Sequence, residues 1–121
     1  MKKFIFTAIT MLFCQYIAHA QVTFINDYNQ FFTSINGVVG ETKDLSISVV
    51  FNEKNTNNII IYGLEEIKRF HIISVEEGKT DDGSKYQLMN CIEIARGEER
   101  LIQLFDEALR IFVKEDYIEY H

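Results

Sequence analysis

Seven residues constrain this chain more than any others. Leu45 to Phe51, LSISVVF, sets Leu45, Ile47, Val49 and Phe51 at alternate positions, with Ser46, Ser48 and Val50 between them. Successive side chains of a strand point to opposite faces, so a period of two with one apolar face marks a half-buried strand. The polar run NEKNTNN follows, full of turn formers, and then IIIYG, Ile59 to Gly63, whose β-branched and aromatic residues suit a second strand. Two such runs with a short polar connection read as a hairpin with a longer loop.

The same grammar continues. IKRFHIISV, Ile67 to Val75, and KYQLMNCIEI, Lys85 to Ile94, are strand-like and flank the acidic stretch EEGKTDDGSKY, Glu76 to Tyr86. In the second of these runs Tyr86, Leu88, Ile92 and Ile94 share one face, and Lys85, Gln87, Met89, Cys91 and Glu93 share the other. Asp82-Gly83 suits a turn that needs positive φ at low steric cost. The acidic stretch therefore reads as a solvated hairpin tip. A calcium loop wants oxygen ligands at alternate positions and a closing acid. Asp81 and Asp82 are adjacent, so their side chains diverge, and no residue closes the set.

Two segments are ambiguous. In EERLIQLFDEALRIFVKED, Leu101, Leu104, Phe105, Ala108, Leu109 and Phe112 fall at helical spacing, yet RLIQLF and LRIFV also read as strands joined at Asp106-Glu107. In DYNQFFTSING, Tyr28, Phe31, Phe32 and Ile35 fit a short helix, while VTF and QFF fit strands.

The start of the chain has a different character. MKKFIFTAITMLFCQYIAHA has a basic beginning, an apolar run from Phe4 to Ile17 and a small-x-small ending at Ala18-His19-Ala20. It reads as a secretory signal peptide, residues 1–20, leaving a single exported domain, 21–121. No second apolar run of spanning length follows, so no stable membrane anchor is expected. Without Lys2 and Lys3 the chain has 10 basic and 18 acidic residues, a formal charge of −8. That balance disfavours nucleic acid and anionic lipid as partners. Cys14 leaves with the signal, so Cys91 has no partner within the chain and the domain must hold by its core.

Chemical constellations are sparse. Cys91 with His71 is the only conceivable nucleophile and base pair, and Glu93 on the Cys91 face works against a thiolate. A packed, inert cysteine is the preferred reading. His71, Glu119 and His121 could hold zinc only if the fold gathers them, and the chain has no HExxH and no paired Cys-x-x-Cys. Facing carboxylates for glycoside hydrolysis are available in any chain this acidic, so their presence decides nothing. No nucleophile elbow, phosphate loop or dinucleotide fingerprint is present. No catalytic, cofactor or metal residue is assigned. Phe24, Tyr28, Phe31, Phe32, Tyr117 and Tyr120 lie towards the two ends. They read as core or, if exposed on one sheet face, as a surface for protein or carbohydrate.

Taken together, Ile59 to Tyr62, Phe70 to Ile73, Asp81 to Gly83, Tyr86 with Cys91, and Phe112 to Tyr120 resemble a loose class of small uncharacterised exported β-rich proteins of Gram-negative anaerobes. The resemblance implies strands at Leu101 to Phe105 and Leu109 to Val113 and a last strand near Tyr117 to Tyr120, and it implies no functional residue. The expected fold is all-β, an antiparallel meander of about six or seven strands curled into a sheet or small open barrel. The alternative is α+β with a C-terminal helix at about 98–114. The expected function is a non-enzymatic binding or structural module of the periplasm or cell exterior. A small hydrolase or inhibitor domain is the alternative.

Overall fold

The alternating runs become strands in the computed structural model, which describes residues 22–121. The expected signal peptide, 1–20, lies outside the described residues. The strands are β1 (Phe24–Ile35), β2 (Val38–Val39), β3 (Lys43–Phe51), β4 (Asn58–Tyr62), β5 (Lys68–Lys79), β6 (Lys85–Glu93), β7 (Glu98–Phe105), β8 (Leu109–Val113) and β9 (Asp116–Tyr120). Among the described residues the only helical element is one 3-10 turn at Glu53–Asn55, and no helix is long and apolar enough to cross a membrane.

The sheet order is β2-β1-β3-β4-β5-β6-β7-β8-β9, and β9 returns to pair with β1. All pairings are antiparallel. Eight strands thus close into an up-and-down barrel, and β2 hangs from β1 as a short hairpin. The all-β meander is as the sequence implies, with nine strands where six or seven were expected. The two extra strands, β1 and β2, lie in and just after the ambiguous N-terminal segment. DYNQFFTSING lies in one long strand and the turn after it, because Asn36-Gly37 makes a two-residue turn with φ of 52° and 78° at its centre. Asn and Gly tolerate positive φ, which is what such a hairpin demands.

The C-terminal helix is not formed. Local propensity yields to pairing: Leu101 faces Phe112 and Ile102 faces Ile111 across a turn at Asp106-Glu107. As strands, the residues divide between two faces. Ile102, Leu109 and Ile111 enter the core, while Leu101, Phe105 and Phe112 stay half-buried on the outer wall. A single helical stripe would compete with this inward burial, and tertiary burial outweighs propensity differences of less than about 1 kcal/mol per residue.

The core is the inner face of the barrel. Ile47, Val49, Phe51, Ile59, Ile61, Phe70, Ile72, Met89, Cys91, Ile102, Leu109 and Ile111 pack there with Tyr28 and Tyr120. Each large apolar side chain buried in this way contributes about 1.5–3 kcal/mol. On β6 the inward face is that of Met89, Cys91 and Glu93; Tyr86, Leu88 and Ile92 lie on the outer wall. The register explains the choice, since Met89 pairs with Val75 and Ile102, and Cys91 with Ile72.

The two ends of the barrel differ. At one end, where β6 finishes and β7 starts, the inward Glu93 lies 3.4 Å from Arg100 and 3.8 Å from Arg96, and Arg100 also donates to Glu98 at 2.7 Å. Leu45 and Leu64 pack against the core there. At the other end β4 begins only at Asn58, opposite His71, so β5 beyond Ile72 pairs with β6 alone. The β5–β6 hairpin projects as an arm. The first residues of β1, Phe24 to Tyr28, pair with β3 on one side only, because β9 reaches only Phe31 to Ser34.

Candidate functional site: the open end of the barrel

A β-bulge sets which residues of the arm face inwards. The β5–β6 register shifts between Ile72 and Ser74, leaving Ile73 unpaired and exposed. Phe70 and Ile72 point into the barrel before the bulge. After it, the inward residues are Val75, Glu77 and Lys79, opposite Met89, Gln87 and Lys85. Without the extra residue Glu76 would face inwards, since the side-chain period of a strand is two.

These residues form one wall of a cleft of about 1020 Å³ at the open end. Phe24, Asn26, Phe51 and Asn52 make the opposite wall, and Ile72, Met89 and Leu104 lie between. Phe24 stacks flat on Phe51, with ring centroids 4.4 Å apart and planes 8° from parallel, so the far wall is a continuous aromatic surface. Asn52 sits at the top of this wall in left-handed geometry (φ 58°). Its Nδ2 donates to the Val22 carbonyl at 3.0 Å, and its carbonyl accepts from Thr23 Oγ1 at 2.6 Å. The charged groups gather on the rim, Glu77, Lys79, Lys85 and Asp106, with Gln87 among them. An eight-stranded barrel is just wide enough either to fill with side chains or to hold one small ligand. This one does both, packed at the Glu93 end and open at the other.

The sequence candidates fall elsewhere. Cys91 is buried, and burial pushes its thiol up to about 12. The raised value comes from desolvation, where the sequence pointed to Glu93. His71 pairs with Ile92 and is exposed on the outer wall, whereas Cys91 pairs with Ile72 inside. They sit on neighbouring strands but on opposite faces of the sheet, so the pair cannot act together. His71 is also remote in the sheet from Glu119 and His121 on the other side of the barrel. Glu119 is engaged with Arg110 at 2.7 Å, and His121 Nδ1 lies 3.6 Å from Glu119. Among the described residues no group of three possible metal ligands converges.

The acidic stretch is a hairpin tip, Thr80 to Ser84. Thr80 N donates to the Ser84 carbonyl at 2.9 Å, and Gly83 N to the Thr80 carbonyl at 3.0 Å, with φ of 91° at Gly83. Asp82 accepts from Thr80 Oγ1 and from Ser84 N, and these bonds hold its carboxyl below the usual carboxylate value. Asp82 folds back on its own turn and does not reach towards a ligand.

The aromatics divide. Tyr28 and Tyr120 are core, and Phe31 packs against Tyr120 at 6.4 Å. Phe24 lines the cleft. Phe32 and Tyr117 lie on the outer wall, 6.3 Å apart, and Tyr117 is 5.1 Å from Phe112. Arg110 sits over both Tyr117 and Phe105, at 4.6 and 5.4 Å. Tyr86 continues the row 5.6 Å from Phe105 and lies flat on Gly78, where an added Cβ would come within 2.6 Å of the ring.

Sequence reading missed the inward residues of the arm. The missing signal is the bulge at Ile73, which a count by twos from Phe70 steps over. No family model, no curated protein and no solved structure matches the chain.

Proposed function

We propose that this chain is an exported, non-enzymatic binding module that holds a small, largely apolar ligand in the open end of its barrel. One observation carries the reading: a cleft of about 1020 Å³ with largely aliphatic and aromatic walls, two asparagines, Asn26 and Asn52, in one of them, and charged groups only on the rim. Small-molecule sites are concave, mostly apolar and marked by a few polar groups, and they run to about 300–1,000 Å³. Export rests on the basic, apolar and small-x-small pattern of residues 1–20.

The hydrolase alternative needs a held acid or nucleophile. Glu77 and Asp106 are the carboxylates of the rim, both exposed, and among the described residues no side-chain hydrogen bond or ion pair orients either one. Positioned groups supply most of what general acid–base and proximity effects offer. A second reading keeps the protein or carbohydrate partner and places it on the outer row Phe32, Tyr117, Arg110, Phe105 and Tyr86. That row favours it less, because its rings already pack edge-on or tilted against one another, and Arg110 covers two of them.

The test is titration with the neutral apolar dye Nile red. Saturable one-to-one binding to the protein is expected, and Val75→Phe, which fills the cleft, should weaken it at least about tenfold. Absence of saturable binding, or binding indifferent to Val75→Phe in a folded variant, would sink the proposal.

A further inference from the structure

The rim of the cleft is chemically uneven. Lys79 and Lys85 are directly opposite each other on the arm, on its inward face, and both line the cleft. Like charges directly opposite on one face of a sheet destabilise the pair. Neither ammonium is within ion-pair distance of a carboxylate among the described residues. The acids of the rim are arranged otherwise: Glu77 faces the neutral Gln87, and Asp106 lies on the separate β7–β8 turn. Two cations stand directly opposite each other at the mouth of an apolar cleft; Glu77 is the next inward residue along β5, and among the described residues neither it nor Asp106 closes an ion pair with them.

We infer that the ligand is an amphipathic anion, a single apolar chain ending in a carboxylate, and this rests on the proposed function of the cleft. The carboxylate bridges Lys79 and Lys85 and removes their mutual repulsion. The chain runs inwards past Val75 and Met89 to the stacked rings of Phe24 and Phe51. Lengths agree: Lys85 and Met89 are four residues apart on β6, about 13 Å at the rise of an extended strand. Lysine suits the task, because its stem lies along apolar surface while its ammonium stays in water. Hydrogen bonds between an ammonium and a carboxylate are about twice as strong as neutral ones.

The experiment compares three probes of equal chain length by calorimetric titration below their micelle concentrations: dodecanoate, dodecanol and dodecyltrimethylammonium. Dodecanoate is expected to bind at least about tenfold more tightly than either of the others. Lys79→Gln with Lys85→Gln should bring dodecanoate to the level that dodecanol shows with the same variant. Both lysines are exposed at a hairpin end, so the double variant should keep its fold. Equal binding of dodecanoate and dodecanol would overturn the anion and leave the apolar cleft standing. Preference for the ammonium would do the same and would assign the head group to Glu77 and Asp106. If none of the three bound, the inference would be overturned together with the binding-module reading on which it rests.

Discussion

The two ends of the barrel solve the same problem in opposite ways. Both must terminate an apolar interior. At the Glu93 end an inward carboxylate is matched by Arg100, whose side chain is 13% exposed against 10% for Glu93, and the backbone of Gly63 closes on β3. At the arm end no such plug exists among the described residues: the inward charges stand further up the arm, on the rim, and Phe51, Ile72 and Met89 lie at the base of a cleft. The packed end closes the interior with paired charge and the open end leaves it accessible, so substitutions should act very differently at the two.

The largest effect is expected at Gly63. Its φ is 106°, and a Cβ there would lie 2.6 Å from the Ser46 carbonyl oxygen and 3.1 Å from the Ile47 Cα. Both neighbours are backbone and cannot step aside. Gly63→Ala should cost about 2–4 kcal/mol in urea unfolding, and a loss below about 1 kcal/mol would show that the packed end yields more readily than its geometry indicates. Arg100→Met comes next. It leaves the inward Glu93 without its main partner and should cost about 3 kcal/mol, whereas Glu93→Leu with Arg100→Met should recover most of that loss. A double variant as unstable as the single one would mean that the pair itself, and not the orphaned charge, holds this end.

Alkali should act on the interior that the two ends enclose. Burial raises Cys91 to about 12 from an ordinary 9.0. It also raises Tyr28 and Tyr120 above 10.0, outweighing for Tyr28 the hydrogen bond that Asn26 donates. The unfolded chain loses these protons first, so over this range the folded state holds more protons. Their contribution is intact below about pH 9 and is lost as pH rises towards about 12. The melting temperature should fall through that window, and Cys91→Ala should make the fall shallower.

The arm should be the most tolerant region. Gly78→Ala should displace the Tyr86 ring at a cost of about 1 kcal/mol, since the clash is with the far end of a side chain. Glu77→Gln and Asp106→Asn should stay within about 0.5 kcal/mol of the parent. A loss of several kcal/mol from either would show that the rim carries structural load and would erase the contrast between the ends.

Much of the architecture could be read from pattern. The runs at Leu45–Phe51 and Ile59–Gly63, and the turn at Asp82-Gly83, stand where alternation and turn chemistry put them, because each is decided by neighbours in sequence. The strands at Leu109 to Val113 and near Tyr117 to Tyr120 also agree. The segment 98–114 was ambiguous for a physical reason: Leu101, Leu104, Phe105 and Leu109 satisfy a helical stripe as well as two strands, and only pairing with β6 and β9 separates the cases. The N-terminal segment is ambiguous by period alone; its one local signal is Asn36-Gly37, which makes the hairpin turn seen in the structure. The cleft was hidden. Its inward lysines depend on a bulge at Ile73, a feature of pairing geometry that leaves no trace in hydrophobic alternation.

The seam between β1 and β9 carries a kinetic consequence. Phe31 pairs with Tyr120, 89 positions later, so the two strands that close the barrel come from nearly opposite ends of the described chain. Every other strand pair can form as a local hairpin or meander step. This one must wait until the whole chain is present, and it bears the entropy of a loop that spans most of the domain. Chains dominated by such distant pairings fold in milliseconds to seconds, far more slowly than those built from local contacts. Until the last strand arrives, β1 shows an open edge that another chain could occupy. The final five-residue strand therefore does more than finish the fold: it sets how long the unfinished barrel is exposed to mispairing.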